Sequence, residues 1–138
     1  MQPPLGVEKN ETKSIAYVDP ASGGASGIHF AKVLDRLGVA NEVQSKTVFP
    51  NPKTPAEVGV LVANGEAEIG VHLIQELISV AGIDIVGPLP GDLQATTVFS
   101  AAIMTGAREA AAKALVDFLR TPESAKVIKA KGMEPGTP

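Results

Sequence analysis

The chain has 138 residues and a mass of 14.2 kDa, with 44% hydrophobic residues and a mean hydropathy of +0.16, which is enough for one compact domain with a core and too apolar for a disordered chain. Twelve basic against fifteen acidic residues give a net charge of −3 without a run of either sign, which disfavours nucleic acid and offers no broad surface to an anionic membrane. Zero cysteines exclude disulfides, thiolate metal sites and a cysteine nucleophile, while 4% aromatics and no tryptophan remove the usual stacking platforms, so a guest of this chain should be small and polar.

Residues 1–13 include Pro3, Pro4, Glu8, Asn10 and Glu11 and have no apolar core. They are expected to be irregular, and they look like neither a secretory signal nor an anchor. No apolar run approaches the about 18 residues of a helical membrane span. Residues 14–138 then read as a single α/β lobe.

The lobe opens on Ser14-Ile15-Ala16-Tyr17-Val18, a short strand pattern. Asp19-Pro20-Ala21-Ser22-Gly23-Gly24-Ala25-Ser26-Gly27 follows as a turn of small residues. Behind it Phe30, Val33, Leu34 and Leu37 recur at helical spacing, and Gly38 stands where a C-terminal cap needs positive φ. A helix starting directly after such a turn aims unpaired first-turn N–H groups, aided by the helix dipole, at one point in space. Gly23, Gly24 and Gly27 let a guest approach the backbone, Ala25 adds little bulk, and the hydroxyls of Ser22 and Ser26 add donors. The alternative is a tight strand-to-helix turn in which Gly27 serves only close packing. No Gly-Lys-Ser/Thr follows and the glycine spacing is not G-x-G-x-x-G, so ATP and NAD are not expected. Asp19 is expected to cap the turn through an Asx-type hydrogen bond.

Residues 43–49 read as a second strand, ended by Pro50-Asn51-Pro52-Lys53. Thr54-Pro55-Ala56-Glu57 combines a hydroxyl N-cap, proline at the first helical position and a glutamate placed for a capping box, which predicts a helix running to Asn64-Gly65. A buried strand over residues 67–71 and a short helix over 73–80 come next, then a strand over 83–86. Gly87-Pro88-Leu89-Pro90-Gly91 breaks the pattern, and the β-branched, apolar residues 96–104 read as a longer strand. Residues 107–120 are strongly helical, Thr121-Pro122-Glu123-Ser124 starts a last helix, and Gly132 ends it beside Lys129 and Lys131. Strands alternating with helices predict an α/β fold with a mostly parallel sheet and helices on both faces. Ligands of such sheets bind at the carboxyl ends of the strands, where residues 22–27, Asn51, Thr54 and His72 would converge.

No catalytic constellation is complete. His29 and His72 are the only histidines, each as compatible with packing as with proton transfer, and His72 is the better candidate for touching a ligand. Two distant histidines without local carboxylates make no metal site, and no cofactor is implied. Glu66 and Glu68 flank a turn and read as solvated charge.

In order and spacing, Ser14-Ile15-Ala16-Tyr17-Val18-Asp19-Pro20, the glycine-serine turn, Asn64-Gly65-Glu66-Ala67-Glu68-Ile69-Gly70-Val71, Asp84-Ile85-Val86-Gly87-Pro88-Leu89-Pro90 and the stretch from Phe118-Leu119-Arg120-Thr121-Pro122 to Lys131-Gly132 are informative. Together they resemble the extracellular solute-binding proteins of ABC transporters, in the molybdate-binding-protein-like group of type II periplasmic binding proteins. The resemblance implies one lobe of a two-lobed anion binder with a C-terminal segment, a periplasmic location and an ABC permease as partner. It places Ala25, Ser26 and Gly27, and separately residues 54–56, where helix starts give N–H groups to an oxyanion. Pro55 has no N–H to give, and His72 or Leu73 stands where molybdate binders have a tyrosine, so a small carboxylate is as good a candidate as molybdate. Some relatives of this shape look like aconitate isomerases, which keeps an enzyme acting on a tricarboxylate as an alternative. A lone lobe would expose apolar cleft surface, through which two copies could pair or a truncated, inactive lobe self-associate.

Overall fold

The computed structural model describes residues 12–51, 57–106 and 108–136. By its contacts the chain divides into two compact units, one ending at Gly87 and the other beginning at Pro88.

The first unit is a three-stranded parallel sheet with helices on both faces. β1 (Ile15–Tyr17) is central, flanked by β2 (Thr47–Val48) and β3 (Ile69–Val71) in the order β2-β1-β3. Ile15 aligns with Thr47 on one side and Ile69 on the other, and Tyr17 with Val71. Parallel neighbours need a crossover of a dozen or more residues. Here α1 (Ala25–Leu37) and α2 (Ala40–Gln44) connect β1 to β2, and α3 (Val58–Ala63) precedes β3. The short α4 (Ile74–Leu77) follows β3.

Side-chain alternation along β1 divides the core. Ala16, with no exposed surface, packs with Val58, Leu61 and Ala67 on the α3 side, supported by Val18, Val48 and Val62. Tyr17 turns the other way and meets Phe30 of α1 edge-to-face, with ring centroids 5.0 Å apart, and Phe49 at 5.2 Å. Phe30, Val33 and Leu34 form the buried stripe of α1. Two glycines allow the close approach. A Cβ at Gly27 would collide with the Val18 carbonyl, and one at Gly70 would press on Val58 and Val62 at 2.9 Å. The packing role weighed for Gly27 is therefore real. Gly38 caps α1 in the left-handed region, at φ 69°, as its position predicted.

The strand expected over residues 43–49 is mostly absent. Residues 40–44 form α2 instead, with the N-cap residue Val39 one turn before Val43, and only Thr47 and Val48 join the sheet. One helical turn and a two-residue strand share the same apolar spacing over so short a run, and the hydrogen bond from Thr47 Oγ1 to Val43 O (3.0 Å) closes the corner between them. The start signal at Thr54-Pro55-Ala56 lies outside the described residues. The helix begins later than that signal announces: α3 starts at Val58, and Glu57, expected inside the first turn to complete a capping box, is instead the extended N-cap residue with no side-chain cap bond. Residues 83–86 form no strand, since no neighbouring strand offers them a ladder among the described residues.

The second unit holds α5 (Glu109–Leu119) and α6 (Pro122–Ala130). Thr121 caps α6, its Oγ1 accepting from Ser124 N–H at 3.3 Å, while Ser124 Oγ donates to Phe118 O at 2.7 Å and ties the two helices together. Residues 96–104, expected as a longer strand, are not one. β-branched composition favours a strand only where another strand can pair with it, and here Val98, Phe99 and Met104 are largely exposed. Among the described residues no helix is long and apolar enough to cross a membrane.

Candidate functional site

Strand order defines where a ligand can enter. From β1 the chain moves to β2 on one side and then crosses to β3 on the other, so the connections leaving β1 and β3 part at the carboxyl end of the sheet. That topological switch point opens a crevice between them in parallel α/β sheets. By the order of elements, the turn before α1 and the residues after β3 both lie at that end of the sheet.

The turn uses its first donors on itself. Asp19 Oδ1 accepts from Ala21 N–H at 2.9 Å, the expected Asx bond, and Asp19 O accepts from Ser22 N–H at 3.0 Å and from Ser22 Oγ at 2.7 Å. Gly23 N–H reaches Pro20 O at 3.1 Å, with Gly23 at φ 80°. Ser22 thus spends its hydroxyl proton locally, and the donors that remain lie further on. Gly24 is the N-cap of α1 and no side chain caps the helix. The first helical bond is Ile28 N–H to Gly24 O, 3.0 Å, so the N–H groups of Ala25, Ser26 and Gly27 have no partner within the helix. Gly23 and Ala25 are exposed, Gly24 and Ser26 half-exposed and Gly27 buried, and the Val18 side chain packs so close to Gly24 that a Cβ there would come within 2.7 Å of it. The unpaired N–H groups at the start of this thirteen-residue helix carry positive potential, the electrostatics that favour negative charge at a helix start.

His72 follows β3 directly and is half-buried. Its Nδ1 accepts the Leu73 N–H at 2.8 Å. Burial holds its pKa below the ordinary 6.5, against the opposing pull of Glu76 and Glu57. Those two carboxylates are the neighbours that sequence reading missed; the i, i+4 spacing of His72 and Glu76 was the available signal. Asn51 is exposed, three residues beyond β2, and Thr54 lies outside the described residues. His29 sits within α1, away from its first turn. Glu66 accepts from Asn64 Nδ2 at 3.3 Å and Glu68 from Lys13 N–H at 2.6 Å, both exposed. No cluster of metal-ligating side chains occurs among the described residues. An open groove of ≈ 240 Å³ lined by Tyr17, Asp35, Asn41, Thr47 and Phe49 among others lies on the β2 side and contains none of the predicted site residues.

A lobe with a parallel switch-point sheet and bare helix amides at its rim is the architecture of a small-solute binder. Comparison with known proteins agrees. Residues 6–134 match the family model of bacterial extracellular solute-binding proteins, and the chain belongs to that family. It is 35% identical over 128 residues to an aconitate isomerase of Pseudomonas sp, covering 91% of this chain and 46% of that protein. It is 33% identical over 129 residues to the molybdate-binding protein ModA of Rhodobacter capsulatus, covering 91% and 49%. The ModA of Azotobacter vinelandii is 33% identical over 135 residues, covering 91% and 50%. The chain thus spans about half the length of the curated relatives it matches. No solved structure matches at comparable significance.

Proposed function

We propose that this chain is a periplasmic solute-binding lobe that takes a small oxyanion or organic-acid anion in the crevice between β1 and β3, for delivery to an ABC permease. The observation that carries the reading is the first turn of α1, exposed at Ala25 and half-exposed at Ser26, whose Ala25, Ser26 and Gly27 amides have no helical partner, at the switch point of a solute-binding family member. In this reading Ser26 adds a hydroxyl, Gly23 and Gly24 leave the approach clear, and Ser22 and Asp19 hold the turn in shape. His72 faces the guest from the β3 side, and Asn51 and Thr54 contribute from the loop after β2. The kinship with molybdate-binding proteins supports an oxyanion.

Hydrogen bonds to a charged group contribute about 1.5–3 kcal/mol each, so a few of them in an open crevice correspond to binding in roughly the millimolar range. Calorimetric titration of the chain with molybdate, sulfate, phosphate, citrate and aconitate tests this. Heat of binding with any of them supports the reading, and a silent panel overturns it. In that case an inactive lobe, or two copies paired through exposed apolar surface, becomes the better account.

A second reading rests on the 35% identity to an aconitate isomerase. Here the bound anion is a tricarboxylate and His72 or a residue beyond this chain moves the proton. Incubation with cis- and trans-aconitate separates the two, because interconversion marks the enzyme and binding without turnover marks the carrier.

A further inference from the structure

The groove on the β2 side of the first unit has a chemistry opposite to that of the α1 first turn. Residues of β1, α1, α2 and β2 line its ≈ 240 Å³, among them Tyr17, Asp35, Asn41, Gln44, Thr47 and Phe49. Sites for drug-sized ligands run to about 300–1,000 Å³, so this one suits a guest of a few heavy atoms.

Tyr17 carries the first indication of a ligand. It is 7% exposed, and its ring is held edge-to-face by Phe30 and Phe49. A tyrosine buried to this degree normally gives its hydroxyl a partner. The Tyr17 hydroxyl has none among the described residues, where no fully buried side-chain oxygen or nitrogen is left unpaired, so Oη emerges at the groove that Tyr17 lines. The rest of the lining selects the charge of a guest. Asp35 is the one charged side chain among the described lining residues, and it forms no ion pair among them. Asn41 and Gln44, three residues apart on α2 and both exposed, add amide oxygens, while Thr47 commits its hydroxyl to Val43 O at 3.0 Å. Phe49 is 44% exposed and presents ring surface, to which a cation is drawn by the ring quadrupole. An anion would find no countercharge in this lining.

We infer that this groove is a separate binding site for a small organic ammonium ion. Asp35 supplies the countercharge, Tyr17 Oη accepts an N–H, and the alkyl part rests against Phe49. The inference does not depend on anion binding at the α1 turn, because the two places share no residue and call for opposite charges.

The test is a ¹H–¹⁵N correlation titration of the full chain with propylammonium and, at equal ionic strength, with neutral propanol. Propylammonium is expected to bind in roughly the millimolar range, shifting Asn41, Gln44 and Thr47 and leaving Ala25, Ser26 and Gly27 in place. Propanol is expected to cause no saturable shift. Asp35→Asn keeps the shape of an exposed side chain and should weaken propylammonium about 3- to 5-fold, the scale of a solvated ion pair. Tyr17→Phe keeps the packed ring and should weaken it about 2- to 10-fold, the scale of one hydrogen bond, with the unfolding midpoint retained. Propanol acting like propylammonium, shifts scattered away from the groove, or either variant binding like the wild type would each overturn the inference.

Discussion

The two units handle apolar sequence in opposite ways. In the first, Ala16, Tyr17, Phe30, Val33, Leu34, Val58, Leu61 and Ala67 are buried around a parallel sheet. In the second, Ser124 alone is buried among the described residues, while Leu115, Phe118 and Leu119 on α5 and Val127 on α6 stand 46–60% and 61% exposed. Both carry amphipathic helices and β-branched runs, so composition does not separate them. A sheet does: β1 gives α1 and α3 a surface on each face to cover, and residues 96–104 have no ladder to join. Cooperative stability should therefore reside in the first unit, and with it the rigid placement of the α1 first turn.

The sharpest break of that comparison is Val58→Asp. Val58 has no exposed surface, and an unpaired carboxylate there is expected to abolish the cooperative unfolding transition followed by circular dichroism. Gly27→Ala comes next. Its Cβ meets backbone at Val18, which cannot swing aside as a side chain does, so a loss of about 3 kcal/mol in urea unfolding is expected, with anion binding lost alongside.

A smaller effect comes from pH. Burial keeps His72 below 6.5 in the fold, with Glu76 and Glu57 pulling the other way, while the unfolded chain takes up its proton at 6.5. Stability is thus fully present above 6.5 and declines as the pH falls from there through the folded pKa. Thermal melts of the wild type should show this decline, and His72→Gln should flatten it.

In the second unit Val98→Lys should change stability by less than about 0.5 kcal/mol, since Val98 is already 80% exposed. A loss several times larger would show that the exposed run is packed in solution and would erase the contrast between the units. Smallest of all is Lys113→Ala. The Lys113–Asp117 pair is 2.7 Å long but exposed, with an expected effect of about 0.3–0.5 kcal/mol that disappears in high salt.

Much of the candidate site was legible in the sequence because it depends on local rules. Small residues after a strand pattern, followed by helical spacing, placed the α1 start, and Asp19 capped the turn as its side chain required. Ser22 shows the limit of that reading. A hydroxyl beside bare amides looks like a ligand donor, but Asp19 O lies 2.7 Å away and accepts its hydrogen bond. The bond between Leu73 and Nδ1 of His72 was not readable at all, because it depends on how the ring turns at the end of β3.

Residues 40–49 and 83–104 show the same division on the scale of elements. Helix starts, caps and stops follow from a residue and its near neighbours, so α1, α5 and α6, the Gly38 cap and the Thr121 cap were determined by the sequence by itself. Tertiary structure alone decided which apolar runs became strands, that β1 lies at the centre of the sheet, and that two carboxylates face His72. A strand exists only through hydrogen bonds to a chain segment far away in sequence, and a pKa only through the burial and charges that such segments bring together.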